Sequence, residues 1–244
     1  MKKILIPAAA CAVLAGGLLL TVALSLNSII RSAVVNFGPK LTGGSVSLEE
    51  VRISPLSGRG GLKGLVIGNP EGFRSGSAFE LDEVRIGVNV RSILSRTVIV
   101  DEVFIKGAKV TYEAGLKGSN IGAILMNIES FAGKGAKERP SGSDGPSKKV
   151  RIGSFTFMDA TLSVSGTILE GRTLSARLPK IHLKDIGGDD GIMPARAVAR
   201  IFRELTRSIV RAATRGGLRA GETGEDAKKQ VQNAIKGLKV LFGR

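Results

Sequence analysis

The residue types that do most covalent chemistry in proteins are almost absent from this chain. Of its 244 residues one is histidine, His182, and one is cysteine, Cys11. His182 sits in LPKIHLKDIGG, where it alternates with Ile181 and Leu183 and so belongs to the polar face of a strand. No nucleophile motif exists for it to serve, which makes it a surface imidazole. Cys11 lies inside an apolar N-terminal run, so neither an internal disulfide nor a multi-cysteine metal site is available. Asp185, Asp189 and Asp190 gather in a glycine-rich turn but lack the ligand spacing of an EF-hand. Gly58, Gly60, Gly61 and Gly64 are close enough to suggest a phosphate loop. However, no Gly-Lys-Ser/Thr follows and the G-x-G-x-x-G spacing is missed, so hairpin glycines account for them. Without a carboxylate pair, a metal cluster or an activated nucleophile, the expectation is a protein that is not an enzyme and needs no cofactor or metal.

What remains is adsorption: cations that attract anionic partners and apolar side chains that bind apolar ones. Net charge is +15, and from Ile192 to Arg244 twelve Lys/Arg stand against four Asp/Glu. Pro194–Arg215 reads as a helix with Ala197, Ile201, Leu205 and Ile209 on one face, joined by Val198, Phe202 and Ala213. Arg196, Arg200, Arg203, Arg207 and Arg211 fall mostly on the other. Asp226–Phe242 reads as a second amphipathic helix. Two readings follow: helices packed on a sheet with solvated charged faces, or a basic surface lying on anionic lipid. For the latter, Arg200, Arg203, Arg207 and Arg211 are the candidate membrane-contacting residues. Nucleic acid is disfavoured, because aromatic side chains to stack bases are scarce.

The apolar residues are ordered by the strands that must carry them. Phe79, Leu81, Val84 and Ile86 are apolar at offsets 0, 2, 5 and 7, and four other stretches share those offsets. They are Val46, Leu48, Val51 and Ile53; Val98, Val100, Val103 and Ile105; Val150, Ile152, Phe155 and Phe157; and, more weakly, Ala176, Leu178, Ile181 and Leu183. Alternation marks a half-buried strand, but here its parity flips once, across Glu49-Glu50, Asp82-Glu83, Asp101-Glu102, Gly153-Ser154 and Pro179-Lys180. An extra residue that re-aims a strand is a bulge or sharp bend. LEEVRIS at 48–54 and LDEVRIG at 81–87 mark the pattern as a repeat. After the flip, Val51, Ile53, Val84, Ile86, Val103, Ile105, Phe155 and Phe157 are expected to share one face, and they are the candidate lining of an apolar groove.

The connections follow. Strands are expected over about 46–54 and 62–68 around a turn at Pro55–Gly61, and Asn69-Pro70-Glu71-Gly72 has type I turn preferences. Ser119 or Asn120 caps a short helix bearing Ile121, Ile124, Leu125 and Ile128, with Met126 expected in the packing. Residues 133–149 read as a Gly/Pro/Ser/Lys linker inserted between repeats, since Phe155–Val164 tracks Val103–Tyr112 with Ala160 matching Ala108.

Upstream, Lys2 and Lys3 precede 23 uncharged residues, Ile4–Leu26, and Arg31 follows. As a helix that run spans about 35 Å, enough to cross a bilayer core of about 30 Å. Ala23-Leu24-Ser25 offers a weak cleavage site; the length of the run favours an uncleaved anchor. The two lysines favour a cytoplasmic N-terminus, which leaves everything after Arg31 outside the cytoplasm.

The strings VRISPLSGRGGLKGLVIGNPEGF, DEVRIGVNVRSIL, GSNIGAILMNI and LPKIHLKDIGG together resemble the AsmA family of bacterial envelope proteins, from the anchor to about Gly188. The resemblance implies an inner-membrane anchor, a periplasmic β-rich domain and, as in long members, an open groove with an apolar floor that handles phospholipid. This chain is short for spanning a periplasm alone. The expected architecture is α+β and β-rich: an anchor over 1–31, a bent, mostly antiparallel repeat-built sheet over 32–190, and a basic amphipathic helical tail over 191–244. The expected function is a single-pass inner-membrane protein that holds or passes lipid acyl chains. The alternative is a structural or assembly factor that binds another envelope protein through a sheet edge.

Overall fold

In the computed structural model, residues 26–115, 118–134, 148–166, 174–214 and 219–220 are described. The apolar run before residue 26, most of the 133–149 linker and the expected helix Asp226–Phe242 lie outside the described residues. Among the described residues no helix is long and apolar enough to cross a membrane.

The architecture is α+β and β-rich, a curled, open half-barrel sheet with three helices. Helix α1 covers residues 26–42. The strands are β1 (Gly44–Ser47), β2 (Glu50–Ser54), β3 (Arg59–Pro70), β4 (Phe79–Val88), β5 (Thr97–Lys106), β6 (Lys109–Gly115), β7 (Gly118–Ser119), β8 (Lys149–Met158), β9 (Thr161–Gly166), β10 (Leu174–Arg177), β11 (Ile181–Ile186) and β12 (Arg219–Ala220). Helices α2 (Asn120–Lys134) and α3 (Pro194–Thr214) complete it, with a 3-10 turn at Val90–Leu94. Pairing is antiparallel throughout except for β5 with β8 and β6 with β9.

The curl comes from creases that cross the sheet, and these are where the sequence parity flips. Ser47 pairs with Val66 and Glu50 with Lys63, which sets Leu48-Glu49 against Gly64-Leu65. On the other flank Glu83 pairs with Lys106 and Glu80 with Lys109, so Leu81-Asp82 meets Gly107-Ala108. The line continues through Asp159-Ala160 to Leu178–Lys180. Gly64, Gly107 and Asp159 on this line have φ of 60°, 72° and 53°. Left-handed residues turn a strand abruptly, and the short side chain of Asp tolerates the geometry that glycine takes freely. At Gly64 a Cβ would lie 2.4 Å from the Glu49 side chain, so the two creased strands also touch there.

A second crease runs nearer the strand ends. The β4–β5 register slips between Gly87 and Val88, opposite Asp101-Glu102. Gly153 lies beside it, where a Cβ would come within 2.9 Å of the Asp101 carbonyl, and Asp185 beyond has φ 50°. The five copies of the sequence pattern are therefore not equivalent. Those at 49–50, 82–83 and 179–180 bend on the first crease; those at 101–102 and 153–154 bend on the second. Similar strings bend at different heights because the pairing of each strand with its neighbours, rather than its own pattern, places it.

One internal repeat is literal. Thr97 to Ala114 pairs in parallel with Lys149 to Gly166 at a constant offset, so Val103 meets Phe155, Tyr112 meets Val164, and the buried alanines Ala108 and Ala160 occupy matching crease positions. Parallel neighbours need a crossover, and α2 lies within it. Ser119 Oγ accepts from the Gly122 N–H at 3.1 Å and caps α2. Ile121, Ile124 and Ile128 of α2 are fully buried. Met126, expected among them, is instead 66% exposed, because two residues from either flanking isoleucine is about 200° around the helix. The expected 46–54 strand is split at Leu48-Glu49, and β3 begins at Arg59, which shortens the turn to 55–58. Helix α3 begins at Pro194, as a proline in a first turn permits, and packs Ala197, Leu205, Ile209 and Ala213 into the same core as the sheet.

Candidate functional site

The eight groove candidates do share one face, in two rungs that cross the strands. Val51, Leu62, Val84, Ile105, Phe157 and Ile181 are successive partners in one rung. Ile53, Gly60, Ile86, Val103, Phe155 and Leu183 form the next, nearer the end where β2 turns into β3. Directly paired residues project to the same side, so each rung is a continuous apolar band. Beyond the second crease Val88, Val100, Ile152 and Ile186 continue the surface.

Coverage of this concave face is graded. Val51, Val84, Ile105 and Phe157 of the first rung are buried, as is Phe155 of the second, whereas Ile53, Ile86 and Val103 are half-buried. Helix α3 packs over the β8–β11 side, and Phe202 stacks edge-on against Phe79 with ring centres 5.5 Å apart. Helix α1 closes the β1–β2 side, where Arg31 Nε donates to the Leu48 carbonyl at 3.2 Å and Asn27 Oδ1 accepts from the Ile53 N–H at 3.0 Å. A cleft of about 360 Å³ opens there, lined by Asn27, Arg52, Ile53, Ser54, Arg59 and Gly60. Gly60 is the one rung position without a side chain, and a Cβ there would lie 3.2 Å from Ile53 Cγ1.

The opposite, convex face is a lattice of charges. Glu50, Lys63, Glu83 and Lys106 are successive cross-strand partners of alternating sign. In the next row Arg85 lies over the Phe104 ring at 4.4 Å, and Thr156 Oγ1 is 3.0 Å from His182 Nδ1. His182 is thus on the solvent face, as its alternation implies. Arg151 lies 3.9 Å from Asp185 and 3.2 Å from Asp189, so these carboxylates are engaged with a guanidinium. Of the four glycines weighed as a phosphate loop, Gly58 makes the β2–β3 turn with φ 68°, Gly64 makes the crease, and Gly60 and Gly61 lie within β3. They form no shared cradle.

The four candidate membrane-contacting arginines of α3, Arg200, Arg203, Arg207 and Arg211, all face solvent. Arg203 reaches Glu129 of α2, Nε to Oε1 at 2.9 Å, and Arg207 pairs with Glu204 one turn back. The Arg203–Glu129 link ties the two covering helices together on their outer side.

Helix α2 is fixed to the sheet by a buried side chain, Asn120, which the sequence offered only as a helix cap. Asn120 donates from Nδ2 to Asn69 Oδ1 and to the Thr111 carbonyl, both at 2.8 Å. Its Oδ1 accepts from the Glu113 N–H at 2.9 Å and the Ile121 N–H at 2.8 Å. All of its hydrogen-bonding capacity is used. Nearby, Tyr112 is pushed up to about 12 by burial, against a smaller opposing hydrogen bond with Ser119. Burial also raises the Glu113 carboxyl, but hydrogen bonds from Ser75 and the Arg74 N–H outweigh it and hold Glu113 below its ordinary value. Both groups stabilise the β3–β4 connection and the start of α2, and neither reaches the apolar rungs.

No protein-family model and no curated protein matches this chain. The apolar rungs carry no titratable side chain, so they can hold apolar matter by exclusion of water and can do no acid–base work. Ile181 and Leu183, the same positions of the weaker fifth copy, join the lining as well, whereas Leu62 and Gly60 enter the rungs only through the pairing of β3 with β2 and β4, which no linear pattern signals.

Proposed function

We propose that this protein is a membrane-anchored, non-enzymatic envelope protein that holds or passes lipid acyl chains on the concave face of its sheet. The single observation that carries the reading is the half-buried rung Ile53–Gly60–Ile86–Val103 beside the cleft at Gly60. About 360 Å³ is at the small end of ligand pockets, room for part of one acyl chain and not for a whole phospholipid. Each methylene taken from water contributes about 0.8 kcal/mol, so five of them give about 4 kcal/mol without any polar contact. That is weak and reversible, which suits passing a chain along more than storing it. The 23-residue apolar run supports membrane attachment, and the resemblance of the strand strings to the AsmA family supports a periplasmic location for the domain.

Edge pairing with a protein partner is less well supported. One sheet edge is occupied by α1 through Asn27 and Arg31. A second edge, β11, is flanked by Pro179 and Lys180 and carries Lys184 and the left-handed Asp185, features that blunt an edge against strand addition.

The test is photocrosslinking in membranes. A photoreactive aromatic amino acid placed at Ile86 or Val103 of the full chain is expected to yield a phospholipid adduct detected by mass spectrometry, and one at Arg85 on the convex face is not. Equal labelling at all three positions refutes the groove.

A further inference from the structure

One end of the half-barrel gathers exposed apolar side chains that the groove does not use. Leu56, in the turn between β2 and β3, is 78% exposed, and Leu94, in the 3-10 turn between β4 and β5, is 93% exposed. Val90 and Ile93 of the same 3-10 turn are exposed as well. Single exposed leucines are ordinary; a cluster presented by adjacent turns is not. The two turns are locked together, since the Val88 N–H donates to the Gly58 carbonyl at 2.8 Å and a Cβ on Gly58 would lie 2.9 Å from Val90 Cγ2.

The 3-10 turn is also rigid. Asn89 caps it by accepting from the Arg91 N–H at 3.1 Å. The buried Ser92 donates to the Asn89 carbonyl at 2.6 Å and accepts from the Ile99 N–H at 2.8 Å. Ser95 Oγ is 2.7 Å from the Ser92 carbonyl. A hydrogen-bonded scaffold of this kind holds Ile93 and Leu94 outward in one orientation, where a floppy loop would let them fold back onto the core.

Cations surround them. Arg59, Arg91, Arg96, Lys148 and Lys149 are all exposed at this end. Lys148 Nζ reaches the Ile93 carbonyl at 2.6 Å, and the Lys149 N–H donates to the Arg96 carbonyl at 2.9 Å, which brings the start of β8 to the same turn. The acidic residues of this end are Asp101 and Glu102, exposed on β5 level with Arg59, and Asp189 and Asp190 in the turn after β11, where Arg151 engages Asp189, so the cations about Leu56 and Leu94 outnumber them.

The last observation decides the occupant. The described chain begins at this end: Asn27, one residue after the uncharged run Ile4–Leu26, accepts from the Ile53 N–H three residues before Leu56. An apolar run long enough to cross a bilayer therefore finishes beside the apolar turns. We propose that this end of the half-barrel docks into the bilayer that the run enters, with Leu56, Ile93 and Leu94 inserted between headgroups and the surrounding cations on lipid phosphates. The cleft at Gly60 then opens at the membrane surface. This rests on membrane attachment and is independent of whether the groove carries lipid.

The experiment uses the full chain with Cys11→Ser, reconstituted in phosphatidylcholine vesicles with or without phosphatidylglycerol. An environment-sensitive fluorophore is attached through Leu56→Cys, Leu94→Cys or, at the opposite end, Glu71→Cys. Spin-labelled lipids should quench emission at the first two sites and leave the third at background. Neutralising Arg91 and Arg96 to glutamine should lower the docked-to-undocked ratio about fivefold per charge in the anionic vesicles. Quenching at Leu56 and Leu94 no greater than at Glu71 overturns the proposal while leaving the crosslinking result at Ile86 to stand or fall alone. A chain that does not remain with the vesicles overturns membrane attachment and this proposal together.

Discussion

Removing Asn120 tests whether a single buried amide fastens the helical cover to the sheet. Its side chain makes four hydrogen bonds, joining Asn69 of β3, Thr111 and Glu113 of β6 and the first turn of α2. Asn120→Ala loses all four and leaves two acceptors and two amide donors in a fully buried site. At about 1 kcal/mol per bond the loss is about 4 kcal/mol, reduced if a water enters the vacated space and increased if the groups stay dry. For a domain of this size that is roughly 10 °C in melting temperature. Asn120→Asp separates bonding from volume. It keeps the size and the two accepted bonds but aims a carboxylate oxygen at Asn69 Oδ1 and the Thr111 carbonyl, so it should not rescue. The assay is a far-UV circular dichroism melt of the full chain in mild detergent, with hydrogen exchange read at the Glu113 and Ile121 amides. A loss below about 1 kcal/mol for Asn120→Ala, or an aspartate variant as stable as the parent, refutes the reasoning.

Further outcomes follow from the same geometry. Ile86→Lys, at a half-buried rung position, should fold and lose the phospholipid adduct, whereas Ile105→Lys, one rung deeper and buried, should fail to fold, as soluble yield and circular dichroism will report. Gly58→Ala should cost about 2 kcal/mol or more in the same melt, because φ is 68° and the new Cβ would lie 1.9 Å from the Val88 carbonyl oxygen. Glu113 is held below its ordinary value of 4.5, so it stabilises the fold above that pH and the contribution is lost as pH falls through the lower folded value. Glu113→Gln should flatten this part of the stability–pH curve; an unchanged curve would remove Glu113 from the account.

The periodicity of the chain determined a good deal by itself. Alternation with a single parity flip requires strands with one apolar face and a sharp bend, and the apolar residues after each flip do line one concave surface. The isoleucine spacing of Asn120–Lys134 and the arginine face of Pro194–Thr214 are likewise local properties of a helix, which is why both were legible. Tertiary structure alone decided which strands are neighbours. Pairing split one repeated pattern between two creases, brought Leu62 into the rungs and set Gly60 in a strand rung instead of a turn. It also turned Asn120 from a helix cap into a buried junction of three elements. Each of these depends on contacts between residues tens of positions apart, such as Asn69 with Asn120, and a pattern of period two or 3.6 holds no term for them. The clustering of Leu56 and Leu94 has the same origin: two turns in different hairpins meet only because β3 and β4 pair in register.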